Sequence, residues 1–357
     1  MKRVVAVILV VGFLAGGLGL TGPALLAQTC DSPSVSSHPP RPTGVLRSSS
    51  FFSPTTLGAV TDAQGVAPKA VLIVGPIDGD DGPWTTQEKV NMELAADVLV
   101  AYGVAVHRFY TPDNSWEEIK AAADGARFLL YRGHGVFWND VPDVGGFRLK
   151  DRFVAPSEIA ELTLAPDAIV MLYGCYTAGT SSSDTGDIGI TEAQRRVLQY
   201  STPFFEAGAR AYYANWFYDG FAAPLENLLS GQTAGQAYES YREFDPNTVA
   251  RVDSPLYPGD VLWLDKDYWD GFWKYDNAFV GSPDLSLRES ALGGIPDRLS
   301  FVYSIEEGQW LMDSYTVTPQ NVGSALPLPW TVIADTSAVD LSATQGTTPL
   351  DTFSVTP

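Results

Sequence analysis

Two short apolar runs constrain this chain more than any other feature. Phe128-Leu129-Leu130-Tyr131 leads into Arg132-Gly133-His134-Gly135, and Ile169-Val170-Met171-Leu172-Tyr173 leads into Gly174-Cys175-Tyr176-Thr177. Each run is β-prone and apolar at successive positions, as strands covered on both faces must be. Each ends at a glycine beside one side chain capable of nucleophilic or acid–base chemistry. If the two strands are parallel neighbours, their carboxyl ends lie about 4.8 Å apart. An imidazole and a thiol would then share one cleft, as a candidate Cys-His dyad.

The surrounding pattern supports that arrangement. Ala70-Val71-Leu72-Ile73-Val74 reads as a buried strand, and Thr86 to Tyr102 as a helix with Thr86 as its cap and Val90, Leu94, Val98 and Ala101 at helical spacing. Val104-Ala105-Val106 begins a second strand, and Ser115-Trp116-Glu117-Glu118 has the form of a capping box. A short helix is expected near Ser157–Leu162, then helix over Thr191–Tyr200, strand over Ala209–Tyr213, and one further helix over Ala223–Tyr241. Alternation of this kind predicts an α/β fold, a doubly wound and mainly parallel sheet with helices on both faces.

Beyond about residue 297 the helical period stops. Leu299–Tyr303, Tyr315–Thr318, Trp330–Ile333, Val339–Ser342 and Phe353–Val355 alternate as short strands, with turns at Asn321-Val322-Gly323 and Gln345-Gly346-Thr347. These predict a small all-β sandwich module. The expected organisation is a signal peptide over 1–27, a Ser/Pro-rich linker over 28–62, an α/β domain over 63–294 and the β module over 297–357. The last boundary falls near Gly293-Gly294-Ile295-Pro296.

Location follows from the first residues. Met1-Lys2-Arg3 is a basic start, Val4 to Leu20 is apolar, and Ala24-Leu25-Leu26-Ala27 supplies small residues for cleavage, which predicts export to the outside or the cell surface. A retained membrane anchor is the alternative. A formal charge of −20, with no basic patch, disfavours nucleic acid and anionic membrane surfaces as partners. The chain has 2 cysteines, Cys30 and Cys175, too few for a disulfide-stapled domain. A Cys30–Cys175 bridge, lipidation of Cys30 and a reactive Cys175 thiol all remain open at this level.

A thiol attacks as thiolate and needs an imidazole or another positive field nearby. Gly133 and Gly135 permit close backbone approach, and the N–H groups of Gly135 and Cys175 are candidate donors to a developing oxyanion. Each feature alone has a blander explanation, an inert buried cysteine or a histidine in a turn. His107 reads as structural and His38 lies in the linker. No cofactor or metal is expected; Asp78 to Glu88 departs from a calcium loop in the placement of its glycine.

The paired blocks Tyr131-Arg132-Gly133-His134-Gly135 and Gly174-Cys175-Tyr176-Thr177-Ala178-Gly179 resemble the caspase-like cysteine peptidases of clan CD, among them the gingipains, clostripain, the metacaspases and bacterial CHAT domains. Phe204–Tyr213 and Leu228–Tyr238 resemble later elements of that group, so the resemblance covers roughly residues 69 to 245. It implies that His134 is the general acid–base, Cys175 the nucleophile of a thioester acyl-enzyme, and Gly135 a backbone contributor to the oxyanion hole. It implies a secreted endopeptidase acting on polypeptide. Gly174 departs from the group, where alanine is commoner, and no third orienting residue can be assigned. Asp184 and Asp187 are candidate substrate-binding residues that would favour a basic side chain, with Asp78, Asp80 and Asp81 as alternatives. The C-terminal segment resembles BACON-type β-sandwich modules, which implies attachment to a cell surface or carbohydrate and a module cut short at Pro357. The rival expectation is a binding or scaffold protein that keeps the fold without turnover, supported by Gly174 and the aromatic stretch Trp263–Trp273.

Overall fold

The computed structural model describes residues 27–29, 68–138, 143–216, 220–241 and 244–287, and beyond them 292–293, 303–304, 309–310, 314–321, 329–332, 340–347 and 351–356. The expected signal peptide (but for its last residue), most of the linker, His38 and Cys30 lie outside the described residues. So do Leu299–Val302 and most of the expected domain boundary.

In chain order the elements are β1 (Ala27–Thr29), β2 (Lys69–Val74), α1 (Pro83–Ala101), β3 (Ala105–Tyr110), α2 (Trp116–Ala123), β4 (Phe128–Arg132) and four short strands, β5 (Val136–Trp138), β6 (Asp143–Val144), β7 (Phe147–Arg148) and β8 (Phe153–Val154). There follow α3 (Pro156–Ala160), β9 (Ala168–Tyr173), α4 (Gly189–Glu206), β10 (Ala209–Asn215), α5 (Ala222–Leu229), α6 (Ala234–Glu239), β11 (Ala250–Asp253), β12 (Val261–Trp269) and β13 (Phe272–Gly281). Eight strands form one mixed sheet in the order β11-β12-β13-β10-β9-β4-β2-β3. The five from β10 to β3 are parallel, and β13, β12 and β11 add antiparallel.

β2, β4 and β9 lie inside the parallel part and are buried almost end to end, which accounts for their unbroken apolar runs. Val71, Ile73, Leu129, Tyr131, Val170 and Leu172 pack with Trp116 and Ile119 of α2, Ile159 of α3, and Val197, Tyr200 and Phe204 of α4. α1 packs on β2, β3 and α5. The chain steps from β2 outward to β3 and then back across to β4. Between β2 and β4 the direction of winding reverses, and in such sheets this opens a crevice beyond the carboxyl ends.

Several expectations change. α1 begins at Pro83, not Thr86, and no side chain of its flanking residue caps it; instead Asp78 reaches back to the N–H groups of Trp84 and Thr85, both at 3.0 Å. Val90 and Leu94 are exposed, and the buried face of α1 carries Thr85, Glu88, Asn91, Met92, Ala95, Ala96 and Leu99. Polar Glu88 is buried because Arg132, fully buried at the end of β4, needs a counter-ion: Arg132 Nε donates to Glu88 Oε2, while Asn91 Nδ2 donates to the same carboxylate oxygen at 3.0 Å. The guanidinium also lies over the rings of Tyr173, at 4.3 Å, and Phe221, at 4.9 Å. Ser115 makes no side-chain cap on α2. α4 runs on through Pro203 to Glu206, and the single helix expected over Ala223–Tyr241 is two, separated at Gly231 with φ +108°.

The hairpin β12–β13 was read only as an aromatic stretch. Its turn is Asp270-Gly271, with φ of 55° and 91°, the pair of positive values that a type I′ turn requires. Asn277 of β13 pairs with Asn215, where β10 ends, so residues Lys266 to Tyr275 overhang the carboxyl edge of the parallel strands.

A second compact unit holds the residues from Ser286 onward. It contains small antiparallel sheets: Tyr315–Val317 pairs with Phe353–Thr356, which pairs with Asp340–Leu341, and Pro329–Thr331 pairs with Gln345–Thr347. Val317, Trp330, Phe353 and Val355 form its buried cluster.

Removing one partner of a buried ion pair leaves the other charge uncompensated. Glu88→Ala is therefore expected to cost about 3–5 kcal/mol in urea unfolding, more than Glu88→Gln. A cost no larger than that of an exposed pair would show that Arg132 does not depend on Glu88.

Candidate active site

β4 and β9 pair in register from Phe128↔Ile169 to Arg132↔Tyr173. The pairing continues one step further, where Gly133 N donates to Tyr173 O at 3.1 Å. His134 and Cys175 each follow the last paired residue by two positions, so the register delivers them to one place at the carboxyl edge. From Phe128 to Val136 every residue is buried except His134, and from Ala168 to Ser181 every residue is buried except Cys175. The two half-buried side chains open onto the crevice while their neighbours are committed to the core.

The backbones that carry them are in contact. A Cβ built on Gly135 would stand 1.8 Å from the carbonyl oxygen of Cys175 and 2.8 Å from its nitrogen. A Cβ on Gly174 would meet Gly133 O at 2.9 Å and the nitrogen of Gly135 at 3.0 Å. Gly174 is thus required by the approach of the His134 loop, which accounts for the departure from alanine at this position. Gly135 is required for the same reason.

Orientation comes from groups that the sequence did not single out. His134 Nε2 lies 2.9 Å from the carbonyl oxygen of Ile77, just past β2. An imidazole bonded to a carbonyl through Nε2 carries its proton there and leaves Nδ1 as the basic atom. The missing third component is therefore a backbone carbonyl across the switch point, which no pattern of side chains could reveal. Ser182 Oγ lies 3.3 Å from Cys175 Sγ. Tyr176, next to the cysteine, has φ of 69°. A positive φ at an aromatic residue is a strained conformation of the kind found where a turn must aim its neighbour. Tyr176 is held by Thr180 O, which accepts its N–H at 3.0 Å, and by a 3.1 Å contact between its hydroxyl and Ser183 Oγ.

The carboxylates divide by their partners. Asp184 is held bidentately by Arg196 at 2.7 and 3.1 Å and also accepts the N–H of Ser181, so its charge is already neutralised. Asp187 is exposed and accepts only the N–H of Gly189, at 2.8 Å, among the described hydrogen bonds. Burial, and then the charge of Asp187, raise the pKa of Tyr275. Burial works to raise the pKa of Asp78, but hydrogen bonds from Thr85 and Trp84 outweigh it and hold the carboxyl below its usual range. Asp80 is likewise held low, by the Thr111 hydroxyl first and by Lys150. Asp81 faces Lys89 at 3.6 Å. Of the five acidic candidates, Asp187 keeps the most freedom to meet a ligand.

At the far side of the site Trp216 packs edge-on against Trp269 of the overhanging hairpin, with centroids 5.6 Å apart. The N–H of Thr180 donates to Tyr275 O at 3.1 Å, tying the loop after Cys175 to β13. Among the described residues no group of side chains could hold a metal ion, and no helix is long and apolar enough to cross a membrane. No known family profile and no curated protein matches the chain.

Any side chain at Gly135 must displace the backbone of Cys175. Gly135→Ala is expected to cost more than the ~1–3 kcal/mol of an ordinary overpacked site and to change the rate at which iodoacetamide labels Cys175. Unchanged stability and unchanged labelling would show that the two backbones are not in contact.

Proposed function

We propose that the chain is an exported cysteine-type endopeptidase of caspase-like build, with His134 and Cys175 as its catalytic pair. One observation carries this reading: the register of β4 and β9 puts the only half-exposed residue of each strand end at a shared edge, on backbones that touch. The sequence of residues 1–27 supports export. The small antiparallel sheets beyond Ser286 fit a sandwich module for surface or carbohydrate attachment.

In this reading the Cys175 thiolate adds to the carbonyl carbon of a peptide bond. The C–S bond forms and the π electrons move to oxygen, which the N–H groups of Gly135 and Cys175 receive. The oxyanion then collapses, the C–N bond breaks, and His134 protonates the departing amine. His134 next removes a proton from water, which attacks the thioester carbonyl, releases the acid and regenerates the thiolate. The Ile77 carbonyl keeps the imidazole in one tautomer throughout, the role a buried carboxylate plays in serine triads. Asp187 supplies the exposed negative charge for a basic residue before the scissile bond.

A second reading, a scaffold that binds without turnover, draws on the exposed ring pair Tyr268 and Trp273 on the hairpin, 61% and 37% accessible. Turnover separates the two. With a peptide library as substrate, Cys175→Ala and His134→Ala are each expected to lower hydrolysis by about 10³-fold or more. Denaturing mass spectrometry should capture an acyl group on Cys175, and Asp187→Asn should raise KM for Arg or Lys substrates while leaving neutral ones unchanged. Hydrolysis that survives both substitutions, or an absence of hydrolysis together with ligand binding retained in the double variant, would contradict the peptidase reading.

A further inference from the structure

The inference concerns what aims the two oxyanion donors, and it rests on the peptidase reading above. Both donors sit in peptides flanked by glycine: His134–Gly135 follows Gly133, and Gly174 precedes Cys175. Glycine backbones have little conformational preference of their own, so the plane of each peptide must be fixed by contacts. Both peptides are trans, since the one cis bond among the described residues is Thr111–Pro112. In a trans peptide the C=O and N–H point in opposite directions. Whatever holds the carbonyl therefore aims the N–H.

Each of the two carbonyls is held by side chains. Tyr131 Oη donates to His134 O at 2.8 Å and accepts the N–H of Arg148 at 3.1 Å. Arg148 O, at 3.3 Å, is the longer of the two acceptors within reach of the single phenolic proton. The ring of Tyr131 is fully buried and stacked on Phe147, with centroids 4.4 Å apart, so the hydroxyl has little freedom to move. Gly174 O accepts three donors: Thr177 Oγ1 at 2.7 Å, Trp216 Nε1 at 3.2 Å and Thr177 N at 3.3 Å. The first clamp turns the Gly135 N–H away from Tyr131, and the second turns the Cys175 N–H away from Thr177 and Trp216.

We infer that Tyr131, Thr177 and Trp216 are positioning residues that set the oxyanion hole by fixing its two peptide planes from behind. None of them need touch substrate for this. The assignment also gives Trp216 a role separate from its contact with Trp269.

The test compares reactions that need the oxyanion with one that does not. A peptide aldehyde adds the Cys175 thiolate reversibly: a C–S bond forms, the carbonyl π pair moves to oxygen, and the resulting oxyanion occupies the hole. Iodoacetamide alkylates the same sulfur with loss of iodide and forms no oxyanion. Tyr131→Phe removes one hydroxyl from a buried ring. It is expected to lower kcat/KM for peptide hydrolysis, and the affinity for the aldehyde, by about 10²-fold, chiefly through kcat, while the iodoacetamide rate stays unchanged. Thr177→Val and Trp216→Phe should shift the same two readouts less, because Gly174 O keeps its other donors.

Unchanged hydrolysis and aldehyde affinity in Tyr131→Phe would overturn the inference alone. So would a parallel fall in iodoacetamide labelling, which would place the effect on the thiol or the fold. A native protein that is alkylated but neither hydrolyses peptides nor binds the aldehyde would overturn the peptidase reading and this inference with it.

Discussion

Contact between two glycine-bearing backbones, just past the ends of β4 and β9, is the constraint on which the rest of the site depends. Side chains alternate faces along a strand, so a slip of one residue in either strand would send His134 or Cys175 to the opposite face. The pairing of Arg132 with Tyr173 excludes that slip. Gly135 against Cys175, and Gly174 against Gly133, then allow the loops to approach more closely than any side chain would permit.

The end of β4 is secured from both faces of the sheet. Tyr131 points to the α4 side, where Phe147 and Phe204 enclose it and its hydroxyl meets the His134 carbonyl. Arg132 points to the opposite side, where Glu88 neutralises it beside the rings of Tyr173 and Phe221. Neither side chain faces solvent. A strand end gripped in this way can hold a flexible Gly-His-Gly loop still, which is what a pair of reacting groups requires of its scaffold.

Much of this was legible in the sequence, because buried parallel strands leave a strong mark. The five parallel strands and the placement of His134 and Cys175 at strand ends follow from unbroken apolar runs and the glycines after them. The antiparallel extension was missed because β12 mixes Asp265, Lys266 and Asp267 with aromatics. Its Asp270-Gly271 turn was the available signal. The apolar stripe of α1 misled for a different reason: Val90 and Leu94 are exposed, while Glu88 faces inward to meet an arginine that is distant in sequence. The carbonyl of Ile77 left no trace at all, since every residue has one. Asp184 looked as available as Asp187 until its pairing with Arg196, twelve residues further on, was visible.

The central claim is spatial, that one imidazole and one sulfur meet across the crevice between β2, β4 and β9. A short bifunctional alkylator, 1,3-dibromoacetone, tests it most directly, because its three-carbon bridge joins a thiol to an imidazole only when they are neighbours. After proteolysis of the treated native protein, the account predicts one bridged species linking the peptide with Cys175 to the peptide with His134, absent from the unfolded chain. Cys175 modified without a bridge, or bridged to His107 instead, would contradict it.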